Sequence, residues 1–240
     1  MSREQIEKLQ SMIDDSQRIV FFGGAGVSTE SGVPDFRSVD GLYREKYAYP
    51  PETILSHSFY FRKREEFYRF YRDKMLYPDA QPNAAHRKLA QWEQQGKLTA
   101  VITQNIDGLH QAAGSKTVLE LHGSVHRNYC ERCARFYGLD AVLTSSGVPL
   151  CECGGTLKPD VVLYEEGLDD RTVEQAVEHI RRADLLIVGG TSLSVYPAAG
   201  LLRYFRGKYL VVINKGALSA DLSADLVVTE PIAEVMAQLV

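Results

Sequence analysis

Residues 18–29 read Arg-Ile-Val-Phe-Phe-Gly-Gly-Ala-Gly-Val-Ser-Thr. The apolar run from Ile19 to Phe22 has no polar break and stops at the pair Gly23-Gly24. A short apolar run bounded by glycine reads as a strand buried on both faces, as in a parallel sheet. The glycines that follow let the chain turn tightly and let backbone N–H groups approach a phosphate. Gly24-x-Gly26 is equally compatible with an ordinary strand-to-helix turn. It is not the hydride-transfer dinucleotide fingerprint, because Thr29 stands where a third glycine belongs. Nor does an acidic strand end follow about 20 positions later; Gly41-Leu42-Tyr43 occupies that region.

Outward from this stretch, similar apolar runs predict strands over 98–103, 117–121, 184–188, 209–213 and 225–228. Between them lie helical patterns. Ser2 and Gln5 form a capping box for a helix running to about Asp15. Asn83 caps a second, with Ala85, Leu89 and Trp92 on one face. Others are expected over 169–182, 195–205 and 231–239. Such alternation gives the α/β class, a Rossmann-like parallel sheet covered on both faces. Two regions break it: 38–82, rich in aromatics and charges, and 126–159, which holds every cysteine. The reading is a large domain from 1–37, 83–125 and 160–240. A smaller domain, a helical insertion plus a cysteine module, comes from 38–82 and 126–159. A cleft belongs where they meet.

The 240 residues are 45% hydrophobic and 24% charged, an ordinary globular balance. Lys and Arg number 27 against 31 Asp and Glu, a net charge of −4, which argues against broad nucleic-acid binding. The amino terminus has no apolar signal core and no run reaches membrane-spanning length, so a cytoplasmic monomer is expected.

Three further motifs fall at predicted strand ends, where open α/β sheets bind ligands. Gln104-Asn105-Ile106-Asp107 follows the second strand, although Asn105 or Asp107 could simply cap a helix. His122 follows the third; alone it would more often be structural. Thr191-Ser192 follows the fourth, and Asn214 stands at the corresponding place on the next. Asp225 begins the last. Gly32-Val33-Pro34-Asp35-Phe36-Arg37 mixes hinge, ring and guanidinium, a combination suited to closing over a charged ligand. Cys130-x-x-Cys133 and Cys151-x-Cys153 have spacing close to a zinc ribbon, the second pair one residue tighter. Four thiolates close a tetrahedral site, so the zinc, one per chain, would be structural.

Taken together, GAGVSTESGVPDFRS, TQNIDGLH, ELHGS, the four cysteines, KPDVVLYEE and GGTSLSVYP resemble the sirtuin family of NAD-dependent protein deacylases, in its compact bacterial form. The resemblance spans nearly the whole chain. It implies NAD as a consumed co-substrate and an acyl-lysine peptide entering between the domains. It puts Ala25, Gly26 and Thr29 on the phosphate loop and Phe36 and Arg37 on the mobile cofactor loop. Gln104 and Asn105 match positions near the nicotinamide ribose, and Ile106 and Asp107 the nicotinamide pocket. Thr191, Ser192, Asn214 and Asp225 match the adenosine end. His122 matches the catalytic base, and Val162 and Tyr164 the segment that pairs with substrate backbone. Glu165 departs from the family by replacing a common glycine. Tyr71 stands where members that prefer acidic acyl groups carry arginine, which favours neutral groups, acetyl first. ADP-ribosyl transfer to protein and non-catalytic NAD-sensing peptide binding are the alternatives.

Overall fold

The structure is a computed structural model that describes residues 2–35, 48–216 and 223–240. In chain order its strands are β1 (Ile19–Gly23), β2 (Leu98–Thr103), β3 (Val118–Glu120), β4 (Gly123–Cys130), β5 (Phe136–Tyr137), β6 (Leu157–Val161), β7 (Leu185–Gly189), β8 (Tyr209–Ile213) and β9 (Leu226–Val228). Among the described residues, six of these form one sheet in the order β3-β2-β1-β7-β8-β9. Every pairing within it is parallel.

The apolar runs explain the layering. Alternate residues of a strand face opposite sides, so an all-apolar strand buries both. Ile19, Phe21, Val101, Ile187 and Val211 join one core with the helices Arg3–Asp14, Ala84–Gln94 and Ile232–Met236. Val20, Phe22, Ile102, Leu186, Val188 and Val212 join the other, beneath the helix Asp170–Arg182. The helix expected over 195–205 is instead a 3-10 turn, Ala198–Tyr204. Pro197 lacks an N–H and disfavours helical backbone at Tyr196, so no helix starts before it.

The second unit is a three-stranded antiparallel sheet, β5-β4-β6. Strand pairing carries it to Gly123 on one side and Val161 on the other, beyond the 126–159 expected. The helices Pro51–Ile54, His57–Arg62 and Arg64–Lys74 pack on it through Phe59, Tyr60, Phe67, Tyr68 and Tyr71, against Val125, Val161 and Leu163. The two interruptions of the α/β pattern therefore share one core.

In the large sheet the chain order reverses between β1 and β7. The crevice at the carboxyl ends of those two strands is the topological switch point, where such sheets bind ligands. Behind it, His86 and His110 are fully buried with rings 4.7 Å apart. Burial lowers the His86 pKa to about 4 and holds His110 well below the usual histidine value. Both rings stay neutral in the fold, whereas the unfolded chain protonates them below about pH 6.5. The unfolded state then binds more protons, so stability should fall as pH drops from about 6.5 towards 4. The urea midpoint is expected to decline steadily from about pH 7 to pH 5, before most carboxylates titrate. A flat midpoint over that span would contradict the neutral pair.

Candidate active site and metal centre

The turn after β1 meets the turn after β7. Gly26 N–H donates to the Gly190 carbonyl at 2.8 Å, and Gly24 N–H to Gly189 at 3.2 Å. A Cβ on Gly26 would lie 2.9 Å from Gly190 Cα, and one on Gly190 would lie 2.4 Å from Val27 N. Gly190 also has φ +58. Only glycine permits this approach. It brings Thr191 beside Gln104, whose Nε2 donates to Thr191 Oγ1 at 3.1 Å. Gln104 N–H in turn donates to Gly23, so the ends of β1, β2 and β7 are tied together.

Ser28 links two of the motifs. It is fully buried, accepts from Asn105 Nδ2 at 3.0 Å and donates to Asp107 Oδ2 at 2.7 Å. Asp107 Oδ1 accepts from Leu109 N–H at 2.9 Å, and the Asp107 carbonyl accepts from His126 Nε2 at 2.9 Å. The carboxylate is therefore held at both oxygens. Sequence reasoning singled out Thr29 and missed Ser28, though both lie in one motif. Thr29 is exposed and its hydroxyl donates to the Gly26 carbonyl. Which hydroxyl turns inward depends on the turn, and residue type does not reveal it.

His122 is half-buried between β3 and β4. Its Nδ1–H donates to the Gln104 carbonyl at 3.0 Å. That bond fixes the tautomer and leaves the Nε2 lone pair free. Burial lowers its pKa, with the Gln104 carbonyl acting in the opposite sense. Ile106 sits on the apolar core of the smaller unit, and its carbonyl accepts from Val125 N–H.

Ala25, Gly26, Gln104, Asn105, Ile106, Asp107, His122, Thr191, Ser192 and Asn214 thus all follow carboxyl ends of the large sheet. Asp225 does not, which corrects the expectation for it. It precedes β9 at the sheet's amino end, where its carboxylate accepts from Leu210 N–H and its own N–H donates to the Leu210 carbonyl. In a parallel sheet a residue that begins a strand lies a strand length from the crevice. Phe36 and Arg37 lie outside the described residues.

Val162 N–H donates to the His122 carbonyl, which couples the segment after β6 to that histidine. Tyr164 donates its N–H to Leu55 O, and its carbonyl accepts from His57 N–H. Both main-chain groups of Tyr164 are already bonded, so strand pairing with a peptide at that residue is not what it offers. It presents a side chain 38% exposed.

The four cysteines converge, all Sγ atoms lying within 4.8 Å of one another. Cys130 and Cys153 are 3.4 Å apart, Cys133 and Cys151 3.6 Å. A tetrahedron with zinc–sulfur bonds of about 2.3 Å has edges of about 3.8 Å, so the set fits a structural zinc ion. The tight Cys151-x-Cys153 pair is accommodated by a turn in which Cys151 N–H donates to Gly155 O and Gly154 N–H to Cys151 O. A Cβ at Gly155 would lie 2.6 Å from Cys130 Sγ. Tyr137 O–H donates to Cys151 Sγ at 3.1 Å. Among the described residues the buried core here is Cys130, Cys151 and Leu157, with Tyr137 and Ala141 partly buried against it.

The sequence model of the Sir2 family matches residues 24–197. The chain belongs to the Sir2 family. Curated relatives called NAD-dependent protein deacetylase include one from Clostridium acetobutylicum, 57% identical over 237 residues and covering 97% of both chains. Another, from Clostridium perfringens, is 57% identical over 241 residues and covers 99% of both. A solved Sir2 complex with p53 peptide and NAD+ superposes with TM-score 0.85 at 40% identity, over 97% of this chain and 96% of that one. A Sir2 histidine-to-alanine variant with deacetylated p53 peptide and 3'-O-acetyl-ADP-ribose gives 0.88 at 39%, over 98% and 96%.

With so small a core around the thiols, a bound zinc ion would supply on the order of 10 kcal/mol towards folding of the module. Chelation, or Cys130→Ser, should unfold it and abolish activity. Native circular dichroism and full turnover after verified metal removal would refute the structural role.

Proposed function

We propose that the chain is an NAD-dependent protein lysine deacetylase. It cleaves the nicotinamide–ribose bond and transfers the acyl group from lysine to ADP-ribose. One water is consumed, and the products are nicotinamide, O-acetyl-ADP-ribose and the free lysine. NAD supplies the leaving nicotinamide and the ribose hydroxyls that accept the acyl group. The observation that carries this reading is the anchored imidazole of His122.

The residues act as follows. The glycine turn at Ala25 and Gly26 would border the phosphates, with Thr191, Ser192 and Asn214 towards the adenosine. Gln104 and Asn105 border the nicotinamide ribose. Ile106 gives the nicotinamide pocket an apolar wall that excludes water. Asp107, oriented by Ser28 and Leu109 N–H, faces the carboxamide. His122 Nε2 takes the proton from a ribose hydroxyl, and Nδ1–H keeps the ring in place as it does so. Val162 and Tyr164 border the peptide, between the parallel-sheet domain and the smaller one. A non-catalytic reader has no use for an imidazole oriented in this way.

Neutral acyl groups suit the cleft. Tyr71 is fully buried and stacked on Phe67 at 5.4 Å, where a guanidinium would be needed to meet an acidic acyl chain. The neighbouring Arg72 is committed elsewhere. Its Nε donates to the Val142 carbonyl at 2.8 Å, and the rest of its guanidinium bonds Ser145 Oγ and Gly147 O.

His122→Ala should lower peptide deacetylation by about 10²–10⁴. Protonation occupies Nε2, so wild-type turnover should fall on the acid side, with a midpoint below about 6.5. Wild-type rates in the variant, or an acid limb above pH 7, would rule out His122 as the base. In a separate assay of acyl-lysine peptides, acetyl should exceed succinyl in kcat/KM by about tenfold or more; a succinyl preference would overturn the neutral-acyl reading.

A further inference from the structure

Glu165 has φ +75, in the left-handed region that disfavours any residue with a Cβ. Such a residue persists only when its surroundings determine it. Here they do. One carboxylate oxygen, Oε2, accepts from Ser58 N–H at 2.9 Å and from Ser58 Oγ–H at 2.6 Å. Ser58 belongs to the helix His57–Arg62 of the smaller unit, which Ser56 caps at Phe59 N–H. The next residue works from the other side: Glu166 accepts from Leu163 N–H at 2.9 Å and pairs with His57 Nδ1 at 2.9 Å and Lys158 Nζ. Residues 55–58 and 163–166 are thereby laced together directly beside Tyr164.

We propose that Glu165 is a positioning residue that clasps Ser58 and holds Val162–Tyr164 at the height a peptide substrate requires. A glycine here would adopt the same turn without strain but could not reach across to the helix. The clasp replaces backbone permissiveness with a side-chain tie. It also explains why a carboxylate is tolerated at an exposed left-handed position. The Ser58 hydroxyl and then the Ser58 N–H hold the Glu165 carboxyl below its ordinary pKa, consistent with a bonded carboxylate. The proposal rests on the reading of Val162–Tyr164 as the substrate segment.

The test is steady-state kinetics of NAD-dependent peptide deacetylation, with acetylated peptide and NAD each varied. Glu165→Gly keeps the turn and removes the tie, so KM for peptide should rise about three- to tenfold while kcat and KM for NAD stay within about twofold. Ser58→Ala should shift peptide KM in the same direction, by less, because its N–H remains. Both bonds go to a single oxygen, so the amide oxygen of Glu165→Gln can accept them, and this variant should stay near wild type. Peptide KM unchanged in both Glu165→Gly and Ser58→Ala overturns the clasp; so does a Glu165→Gln defect as large as the glycine one. Tyr164→Ala separates the two readings. If it leaves peptide KM unchanged, the substrate-segment assignment fails. If it raises KM while Glu165→Gly does not, only the clasp fails.

Discussion

The site depends on how closely two turns approach at the switch point of the sheet. The 2.8 Å bond from Gly26 N–H to Gly190 O holds the end of β1 against the end of β7. A side chain on either residue would prise them apart. Because they touch, Gln104 reaches Thr191, and the Gln104 carbonyl is placed to receive the His122 Nδ1–H. The His122 imidazole at β3's exit and a hydroxyl after β7 are thus tied through Gln104, the residue that follows β2.

The smaller unit is stabilised in two ways. Its helical part has a dense aromatic core, with Tyr60, Phe67 and Tyr68 meeting edge to face at 5.0–6.0 Å. Its cysteine module has almost no core and depends on the thiols. The two are joined by β4 and β6, which also lead directly from His122 and into Val162. His122 and Val162 therefore lie at one end of the smaller sheet, so a displacement of one reaches the other through a single hydrogen bond.

Much of this was legible in residue order. The all-apolar runs at β1, β2, β7 and β8 identify buried parallel strands, because a two-faced burial leaves no position for a polar residue. The cysteine spacing signals metal ligands, because two close pairs can bring four thiols around one ion. The polar clusters after the strands mark the crevice. Where the reading failed, the cause was spatial. Asp225 is polar and lies next to a strand, but it begins that strand, and only its register with Leu210 shows that it sits at the wrong end of the sheet. Pro197 shortened an expected helix to a 3-10 turn. The backbone of Tyr164 is committed to Leu55 and His57, segments more than a hundred positions away.

Sequence alone determined the layer architecture, the metal-ligand set and the imidazole at the end of the third strand. These rest on periodicity, spacing and residue chemistry, which are local properties. The tertiary structure decided which hydroxyl turns inward, Ser28 rather than Thr29, which nitrogen of His122 is free, and why Glu165 can occupy a glycine's conformation. Each of those outcomes is set by a hydrogen-bond partner from a distant part of the chain, and hydrogen bonds act only between groups that folding has already brought within about 3 Å.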